Sequence, residues 1–512
     1  MRQGALDIGS VALSSERKTK MKNELFAMVF SLSGILAFAA PTVTSVQVAE
    51  DLSNNRVSVS YQFANGPAII TFDVVDTASG KPIDECNLWR VSGEVNRIVS
   101  GDGTNHSFVW RPVTDVSNWR IAAGNFRIRV KAWSKSAPPD YMVVNLDGVK
   151  SDPDHLTFYA SSNAVPGGVL GDESYRTSKI LMRKIHRPKG GKYWMGTAAA
   201  DGDIEKSYGG ASADEYPQHQ VNLDYDFYIG VFELTQMQWW RIDRAKDDGT
   251  DAPRPTSYFT NVNWWKMRPM ERQTYKEFRG WDNSSKETAL TTSWPSNPPA
   301  TCVCGKLRDM SGLAFDLPSD AEWEYAARAG HGSGEYGDGS AIPSGGTRRN
   351  DALARQARYL GNGVYEGLDW STAPDWSVPK QFDANWGPES GTAVCGSYAP
   401  NSWGLYDVLG NVREYCLDWY DHRGTSGGSI TSLNGQVNIR EDDPRYCITD
   451  TDPSHSGPAY RVTRGGGWND IAYGMRPGNR TTAYTQNDFY SSANTLMRAC
   501  IGFRLRCPAI IP

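Results

Sequence analysis

The feature that most constrains the fold of this chain is a change of hydrophobic pattern near residue 150. Before this point, five runs alternate apolar and polar side chains: RVSVSYQF (56–63), AIITFDVV (68–75), HSFVWRP (106–112), FRIRVKAW (126–133) and YMVVNL (141–146). A period of two is typical of strands with one buried face. Turn-forming clusters such as FANGP and SGDGTN separate the runs. The pattern predicts a small all-β sandwich over residues 42–150.

This predicted sandwich has immunoglobulin or fibronectin type III character, although it lacks the Cys-Trp-Cys pattern of true immunoglobulin domains. It is either a recognition or spacer module, or a support that packs against a larger domain. The Gly/Ser/Pro-rich stretch SSNAVPGGVLGDES (161–174) and the strand-like run KILMRKI follow it. We therefore expect a linker and the first strand of a second domain over residues 151–182.

Few helices are predicted in the second domain, residues 183–508. Thr235 is followed three residues later by Gln238, and Ser319 by Glu322. Each pair forms a capping box, in which side chains satisfy free backbone N–H groups at a helix start. Gly330 fits a left-handed cap at the end of the second helix. Gly, Asn, Pro and Trp dominate elsewhere, which indicates a loop-rich domain of mixed α+β class.

Residues 21–40 have the pattern of a signal peptide, because lysines precede the apolar run LFAMVFSLSGILAFA and small residues end it. The alternative is a membrane anchor, but this run is shorter than the roughly 20 residues that cross a bilayer as a helix. We expect cleavage after Ala39 or Ala40 and no membrane span afterwards. The protein is then an exported bacterial protein, which is periplasmic, held at the cell surface or secreted.

Charge and composition exclude one class of partner. The net charge is −5 and the sequence pI is about 5.9, whereas nucleic acids require a basic face.

Histidine and cysteine usage gives little indication of a metal site. The seven histidines have no His-x-x-x-His spacing, which would place two imidazoles on one helix face. Of the eight cysteines, only Cys86 precedes the second domain. At least one thiol of that domain is therefore expected to stay free unless a disulfide joins the two domains.

An ordered series of motifs carries a resemblance to a known family. The motifs are GGKYWMGT (190–197), DEYPQHQVNLDYDFYIGVFELTQMQW (214–239), LPSDAEWEYAARAG (317–330), PNSWGLYDVLGNVREYCLDW (400–419), YRVTRGGGW (460–468), RPGNR (476–480) and IGFRLR (501–506). In this order they resemble the sulfatase-modifying-factor family, whose type member is the formylglycine-generating enzyme. The resemblance implies a loop-rich variant of the C-type-lectin-like fold for the second domain.

The resemblance also implies a chemistry whose ligands are missing here. Active members bind copper(I) through two cysteine thiolates, between the Arg-Gly-Gly motif and the closing Gly-Phe-Arg, and oxidise a substrate cysteine to formylglycine. The interval from Gly465 to Arg498 contains no cysteine, and its nearest positions are Asp470 with Ala472 or Met475. Soft thiolates are the ligands that copper(I) prefers. We therefore expect no copper and assign no catalytic residue.

The same interval contains a candidate pocket formed by Trp468, Asp470, Arg476 and Arg480. The two arginines can grip a carboxylate or sulfate in a bidentate manner. Alternatively, they form structural ion pairs that hold an irregular loop, which is the interpretation we favour. We read the glycines at 465–467 as places of tight turning or close backbone approach.

A calcium site is implied by the resemblance at the Gly-Leu-Tyr motif. Its ligands correspond to the side chains of Asp407 and Glu414 and the backbone carbonyls of Gly410 and Val412. Carboxylates and carbonyls are the hard oxygen ligands that calcium prefers. The ion would have a structural role. The alternative is a turn in which Glu414 pairs with a nearby arginine.

Three functions follow from these patterns. The first, which the missing thiols favour, is an exported non-oxidase that binds a protein or glycan through its lectin-like surface, with stacking area from Trp239, Trp240, Trp264 and Trp265. The second is a different oxidative or maturation reaction in the same pocket. The third is formylglycine generation by an atypical site.

Overall fold

A computed structural model describes residues 39–83, 88–112, 124–198, 215, 218–243, 257, 264–280, 298–342, 350–363, 391–419, 460–484 and 499–512. The predicted signal segment lies almost wholly outside these residues, as do Cys86 and Cys447. No helix in the described ranges is long and apolar enough to cross a membrane.

Two sheets form the first part of the fold. Their strands are β1 (Thr42–Asp51), β2 (Arg56–Ala64), β3 (Ala68–Asp76), β4 (Val91–Gly93), β5 (Arg97–Val99), β6 (His106–Trp110) and β7 (Phe126–Trp133), in the orders β1-β2-β6-β4 and β5-β3-β7. Strands β2, β3, β6 and β7 confirm four of the five predicted runs. Val59 and Tyr61 of β2 pack in one apolar core with Phe72 and Val74 of β3. The immunoglobulin or fibronectin type III character remains a prediction.

A five-stranded sheet continues the fold, in the order β18-β13-β10-β8-β9. Its strands are β8 (Tyr141–Asn145), β9 (Leu156–Tyr159), β10 (Lys179–Ile185), β13 (Phe227–Gly230) and β18 (Arg506–Pro508). The fifth predicted run therefore forms a strand too, but β8 pairs antiparallel with β10, which the sequence assigned to the start of the second domain. The domain boundary at residue 150 remains a prediction.

The α-helices of the described residues are short. They are α1 (Gln236–Asp243), α2 (Tyr275–Arg279), α3 (Val303–Ser311), α4 (Asp320–Arg328), α5 (Asp351–Gln356) and α6 (Leu360–Gly363). Both predicted capping boxes are present: Gln238 N donates to Thr235 Oγ1 at 3.2 Å, and Glu322 N donates to Ser319 Oγ at 3.1 Å. The cap after α4 differs from the prediction, since Ala329 (φ 49°) takes the first left-handed position and Gly330 follows with φ 89°.

A four-stranded sheet, β16-β15-β14-β17, holds the region in which the sequence placed its candidate sites. It is built from β14 (Arg413–Trp419), β15 (Tyr460–Arg464), β16 (Arg480–Tyr484) and β17 (Ile501–Gly502), and β17 runs parallel to β14. The remaining strands, β11 (Lys192–Met195) and β12 (His219–Asn222), pair with each other. In this sheet, β14 pairs with β15, which ends at Arg464 of the Arg-Gly-Gly motif, and with β17, which ends at Gly502 of the Gly-Phe-Arg motif.

Candidate functional site

The glycines that follow β15 allow an unusually close backbone approach. Gly465 and Gly466 have φ angles of 87° and 70°, and residues with a Cβ atom rarely adopt such positive φ angles. A Cβ on Gly465 would lie 2.6 Å from the carbonyl oxygen of Val408, and one on Gly467 would lie 2.8 Å from Cys500 Cβ. The three glycines therefore allow the backbone of this turn to pack closely against the segments that contain Val408 and Cys500.

Asp470 and Trp468 of the predicted pocket are engaged within the protein. Arg413 donates to both carboxylate oxygens of Asp470, with an Nε–Oδ2 distance of 2.6 Å, and Gly467 N donates to Oδ2 at 2.8 Å. The indole Nε1 of Trp468 donates to the carbonyl of Ala499 at 2.9 Å, and the side chain is buried. Both residues fasten the glycine turn to its neighbours.

Arg476 and Arg480 form ion pairs with two acidic residues. The buried guanidinium of Arg476 pairs with Glu215, which also accepts from Thr197 Oγ1 at 2.8 Å. Arg480 pairs with Asp320 of α4 at 2.9 Å. These contacts agree with the structural interpretation of the two arginines. They place Arg476 and Arg480 on different carboxylates, whereas a shared bidentate grip would direct both toward one ligand.

Arg464, at the end of β15, is the centre of a buried charge network. Its Nη2 donates to Glu324 Oε2 at 3.0 Å and its Nε donates to Asp320. Burial alone would raise the pKa of Glu324, but the guanidinium groups of Arg328, Arg464 and Arg480 outweigh it and lower this pKa to about 2. The network therefore holds an ionised carboxylate on α4 beneath the glycine turn.

Asp418, on β14 near this network, has the opposite shift. Burial and the neighbouring charge of Asp320 raise its pKa to about 7, even though Asp320 N donates to Asp418 Oδ2 at 2.6 Å. The protonated form of Asp418 is therefore favoured in the folded protein.

A second group of titratable side chains is formed by Glu233, Cys395 and Asp407. Glu233, Cys395 and Asp407 are all buried, and one donor atom from each lies within 4.8 Å of the others. We call these three residues the Glu233 cluster. The Cys395 thiol donates to Glu233 Oε2 at 3.5 Å, and Asn411 Nδ2 donates to the same oxygen at 2.6 Å.

Asp407 has one carboxylate oxygen that is bonded and one that is not. Gly396 N donates to Oδ2 at 2.5 Å. Oδ1 is buried and has no hydrogen-bond partner among the described residues, and a buried polar atom in that state carries a desolvation cost of about 1–3 kcal/mol. Burial, with the charge of Glu414, raises the pKa of Asp407 to about 6. Burial, with the charge of Asp407, raises the pKa of Glu233 well above its ordinary value.

Glu414 is saturated by other partners. Arg504 donates to its Oε1 from Nε at 2.9 Å and from Nη2 at 2.7 Å, and Nε also lies 3.0 Å from Oε2. Trp323 Nε1 donates to Oε2 at 2.6 Å. Four contacts fill the approximately four acceptor positions of a carboxylate. Pairing of Glu414 with an arginine was the alternative to calcium ligation that the sequence left open. Calcium ligation by Glu414, Gly410 and Val412 remains a prediction.

Comparison with known proteins identifies the family. The sulfatase-modifying factor enzyme 1-like domain matches residues 182–505, more than half of the chain. This chain belongs to the sulfatase-modifying factor family. The chaperone protein LppX of Paenibacillus barcinonensis is 28% identical over 258 residues, which are 47% of this chain and 82% of LppX. The formylglycine-generating enzyme of Thermomonospora curvata is 30% identical over 164 residues, 28% of this chain and 47% of that enzyme.

A solved structure is also similar to this chain. PvdO from Pseudomonas aeruginosa shares 20% sequence identity with it, with a TM-score of 0.36, and the match covers 64% of this chain and 94% of PvdO. The matches cover most of LppX and of PvdO, but less than half of the formylglycine-generating enzyme of Thermomonospora curvata.

The thiols of the described residues are buried, and burial raises the pKa of each. The six described cysteines form no disulfide with one another and are all buried: Cys302, Cys304, Cys395, Cys416, Cys500 and Cys507. Burial raises the pKa of Cys500 to about 12 and that of Cys416 well above its ordinary value. The register of β14 with β17 sets Cys416 about four residues, or about 13 Å, along the strand from Cys500. That separation is too long for two thiolates to bind one copper ion.

Sequence reasoning missed Glu233, Cys395 and Glu215 as members of these sites. One signal was available for Glu233, because it is an acidic residue inside the apolar run GVFEL and is fully buried. Residues of this kind are almost always paired or functional when buried. Cys395 and Glu215 have no comparable local signal, since each meets its partners only in the folded chain.

Proposed function

We propose that this protein is an exported sulfatase-modifying factor that binds a protein or glycan ligand and does not act as a copper-dependent oxidase. One observation carries the proposal. The interval from Gly465 to Arg498 contains no cysteine, and the adjacent Cys500 has a pKa raised to about 12 by burial. A copper(I) site of this family's kind needs two thiolates, and neither is supplied there.

The contacts of the predicted pocket support the same conclusion. Asp470 is held by Arg413, and Arg476 is held by Glu215. The Arg476–Glu215 pair is buried, so detaching either side chain would leave its partner as an uncompensated buried charge. The Arg413–Asp470 pair is partly buried. The pocket residues therefore serve as supports for the Gly465–Gly467 turn, and ligand binding is expected on the outer surface of the domain.

Exposed tryptophans provide an area for such binding. Trp194 on β11 is 57% exposed and Trp264 is 63% exposed, and rings of this size offer stacking and apolar contact to sugars or peptides. Of the tryptophans named from the sequence, Trp239 does not contribute, since it is buried against Phe278 and Phe503. Trp264 and Trp194 are the better positions for a contact surface.

The relative named as a chaperone favours a protein over a glycan as the ligand. The match to LppX covers 82% of that protein, so the shared region includes most of what LppX contains. We therefore give priority to a protein partner in testing the proposal, with glycan binding as the second arm.

Calcium is proposed as a structural ion of this domain. The donor set partly fits it, because Asp407 Oδ1 is a buried carboxylate oxygen without a described partner and Glu233 adds a second carboxylate beside it. The predicted ligand set contained Glu414, but its oxygens accept from Arg504 and Trp323, so Glu233 takes its place in this proposal. Asp407 and Glu233 would hold the ion together with the carbonyls of Gly410 and Val412, and the two carboxylates would balance its charge. The ion would link two segments outside regular strands, the one that follows β13 and the one that precedes β14.

Binding is tested with the purified full chain and two tryptophan variants. Trp194→Ser and Trp264→Asn remove the exposed rings, and Asn tolerates the left-handed φ of 65° at position 264. Val149→Ser, at another exposed apolar position, is the control. We expect the wild-type chain to delay aggregation of a thermally unfolded test enzyme or to bind a glycan array, and one tryptophan variant to lose that activity. Equal results for all four proteins would contradict the proposed surface.

Calcium is tested separately by thermal unfolding with and without a chelator. We expect chelation to lower the melting temperature of the wild-type chain and to leave that of Asp407→Asn nearly unchanged. An unaltered wild-type melting temperature would remove calcium from the proposal without affecting the binding function.

A further inference from the structure

The Glu233 cluster contains a donor that a calcium site does not use. Calcium takes oxygen ligands, whereas the buried Sγ of Cys395 lies 3.5 Å from Glu233 Oε2 and faces the same space as Asp407. Thiol sulfur is a soft donor and selects borderline or soft cations such as Zn²⁺. The chemistry of this cluster therefore differs from that of an all-oxygen site.

We infer that Cys395, Glu233 and Asp407 form a mixed sulfur and oxygen site for a thiophilic divalent cation, with Zn²⁺ as the fitting ion, and that the site prefers this ion to calcium. Because the site uses the same two carboxylates as the calcium proposal, Zn²⁺ would take the place of calcium there; the protein- or glycan-binding function does not depend on which ion binds.

The spacing of the donor atoms agrees with zinc. Zinc–sulfur and zinc–oxygen distances of about 2.3 and 2.0 Å at a tetrahedral angle place the two donor atoms about 3.5 Å apart. The Sγ of Cys395 and Oε2 of Glu233 are separated by 3.5 Å. A third donor atom from Asp407 lies within 4.8 Å of both, so small side-chain rotations bring all three to one ion. A backbone carbonyl or a water completes four-coordination.

A second observation points to a ligand independently of the thiol. Oδ1 of Asp407 is buried without a described partner, while Oδ2 of the same carboxylate accepts from Gly396 N. A cation would satisfy that oxygen. Charge balance is also favourable, because two carboxylates neutralise a divalent ion, and the nearby Arg504 and Arg176 offset the additional charge of a thiolate. The proton released from Cys395 on metal binding passes to solvent.

The rest of the shell holds the three donors in place. Asn411 Nδ2 and Val412 N donate to the two oxygens of Glu233 at 2.6 and 3.1 Å. Arg176 Nη1 donates to the carbonyl of Cys395 at 3.0 Å. Outer contacts of this kind orient metal ligands and tune their affinity.

The experiment uses metal-free full-length protein in which Cys86 and Cys447, which lie outside the described residues, are replaced by serine. Zn²⁺, Cd²⁺ and Ca²⁺ are titrated separately, and affinity, melting temperature and the ultraviolet charge-transfer absorption of a cadmium–thiolate bond are measured. Cys395→Ser and Cys395→Val are compared with Cys416→Ser, which removes a buried thiol outside the cluster. The valine variant keeps an apolar side chain of similar size if the serine variant fails to fold.

We expect one Zn²⁺ or Cd²⁺ per chain, tighter binding of Zn²⁺ than of Ca²⁺, and a charge-transfer band that Cys416→Ser retains. Replacement of Cys395 is expected to abolish this band and to weaken Zn²⁺ binding by at least about tenfold. Calcium binding that is stronger than zinc binding and unchanged in Cys395→Val would overturn the inference while leaving the calcium proposal in place. Absence of binding by all three ions would overturn both.

Discussion

Arg504 and Glu414 form a fully buried ion pair in which Nε and Nη2 of the arginine lie 2.9 and 2.7 Å from Oε1 of the glutamate. The pair joins the closing Gly-Phe-Arg motif to β14. Arg504 also donates to the carbonyls of Gly230 and Tyr406 at 2.9 and 2.8 Å. One side chain thus connects three separate segments of the sulfatase-modifying factor domain.

Replacement of Arg504 is predicted to destabilise the protein strongly. Arg504→Met leaves Glu414 as a buried charge without its guanidinium, and such losses cost about 3–5 kcal/mol. Urea unfolding followed by tryptophan fluorescence measures the change. Arg97→Met is the control, since its pair with the exposed Asp154 is expected to contribute no more than about 1 kcal/mol. Equal losses for the two variants would contradict the assigned role of Arg504.

How much of the fold and of the candidate site the sequence could predict depends on how far apart along the chain the contacting residues lie. Strands β2 and β7 were predicted from alternation alone, because period two reflects a buried face along one continuous segment. The capping boxes at Thr235 and Ser319 were predicted for the same reason, since both partners lie within four residues. Local patterns therefore predicted six of the eighteen strands and two of the six α-helices of the described residues.

The Glu233 cluster was beyond such patterns. Glu233 meets Cys395 and Asn411 across 162 and 178 residues of chain, and no periodicity encodes contacts of that separation. The resemblance to the family supplied Asp407 but not its neighbours. In the same way, the ion pair of Arg476 with Glu215 spans 261 residues, so the sequence could only leave its partner open.

Glu324 is predicted to make stability depend on pH in the acid range. Its pKa in the folded protein is about 2, below its unfolded value of about 4.3. The contribution is therefore present above the unfolded pKa and is lost as pH falls toward 2. We expect Glu324→Gln to be less stable than the wild type at neutral pH and the difference to shrink with acidification, as measured by urea unfolding at several pH values. A difference that stays constant with pH would contradict the assigned ion pairs.

Asp418 is predicted to have the opposite effect. Its folded pKa of about 7 exceeds its unfolded value of about 3.9, so the protonated form is favoured in the fold and the contribution is lost as pH rises through 7. Asp418→Asn keeps an acceptor for the N–H of Asp320 but cannot ionise. We expect this variant to gain stability relative to the wild type between about pH 5 and pH 8. Asp154→Asn, at an exposed carboxylate, is expected to show no such gain, and a matching gain there would refute the assignment.

Gly465 is predicted to be required for folding, unlike a nearby glycine. Gly465→Ala forces a side chain onto a φ of 87° with Cβ 2.6 Å from the Val408 carbonyl, and left-handed strain alone costs about 1–3 kcal/mol. Gly474→Ala meets only an ordinary contact of 3.6 Å with Asp470 Cβ. The melting temperature is expected to fall for Gly465→Ala and to change little for Gly474→Ala. Similar melting temperatures would show that the turn does not depend on glycine.

We propose above that this chain lacks the copper chemistry of the formylglycine-generating enzyme. The most direct measurement is an anaerobic copper(I) titration of the purified full chain, followed by exposure to oxygen with a sulfatase-type cysteine peptide and mass analysis of that peptide. We predict no stoichiometric tight copper binding and an unmodified peptide cysteine. One tightly bound copper ion per chain together with conversion of the cysteine to formylglycine would contradict the account.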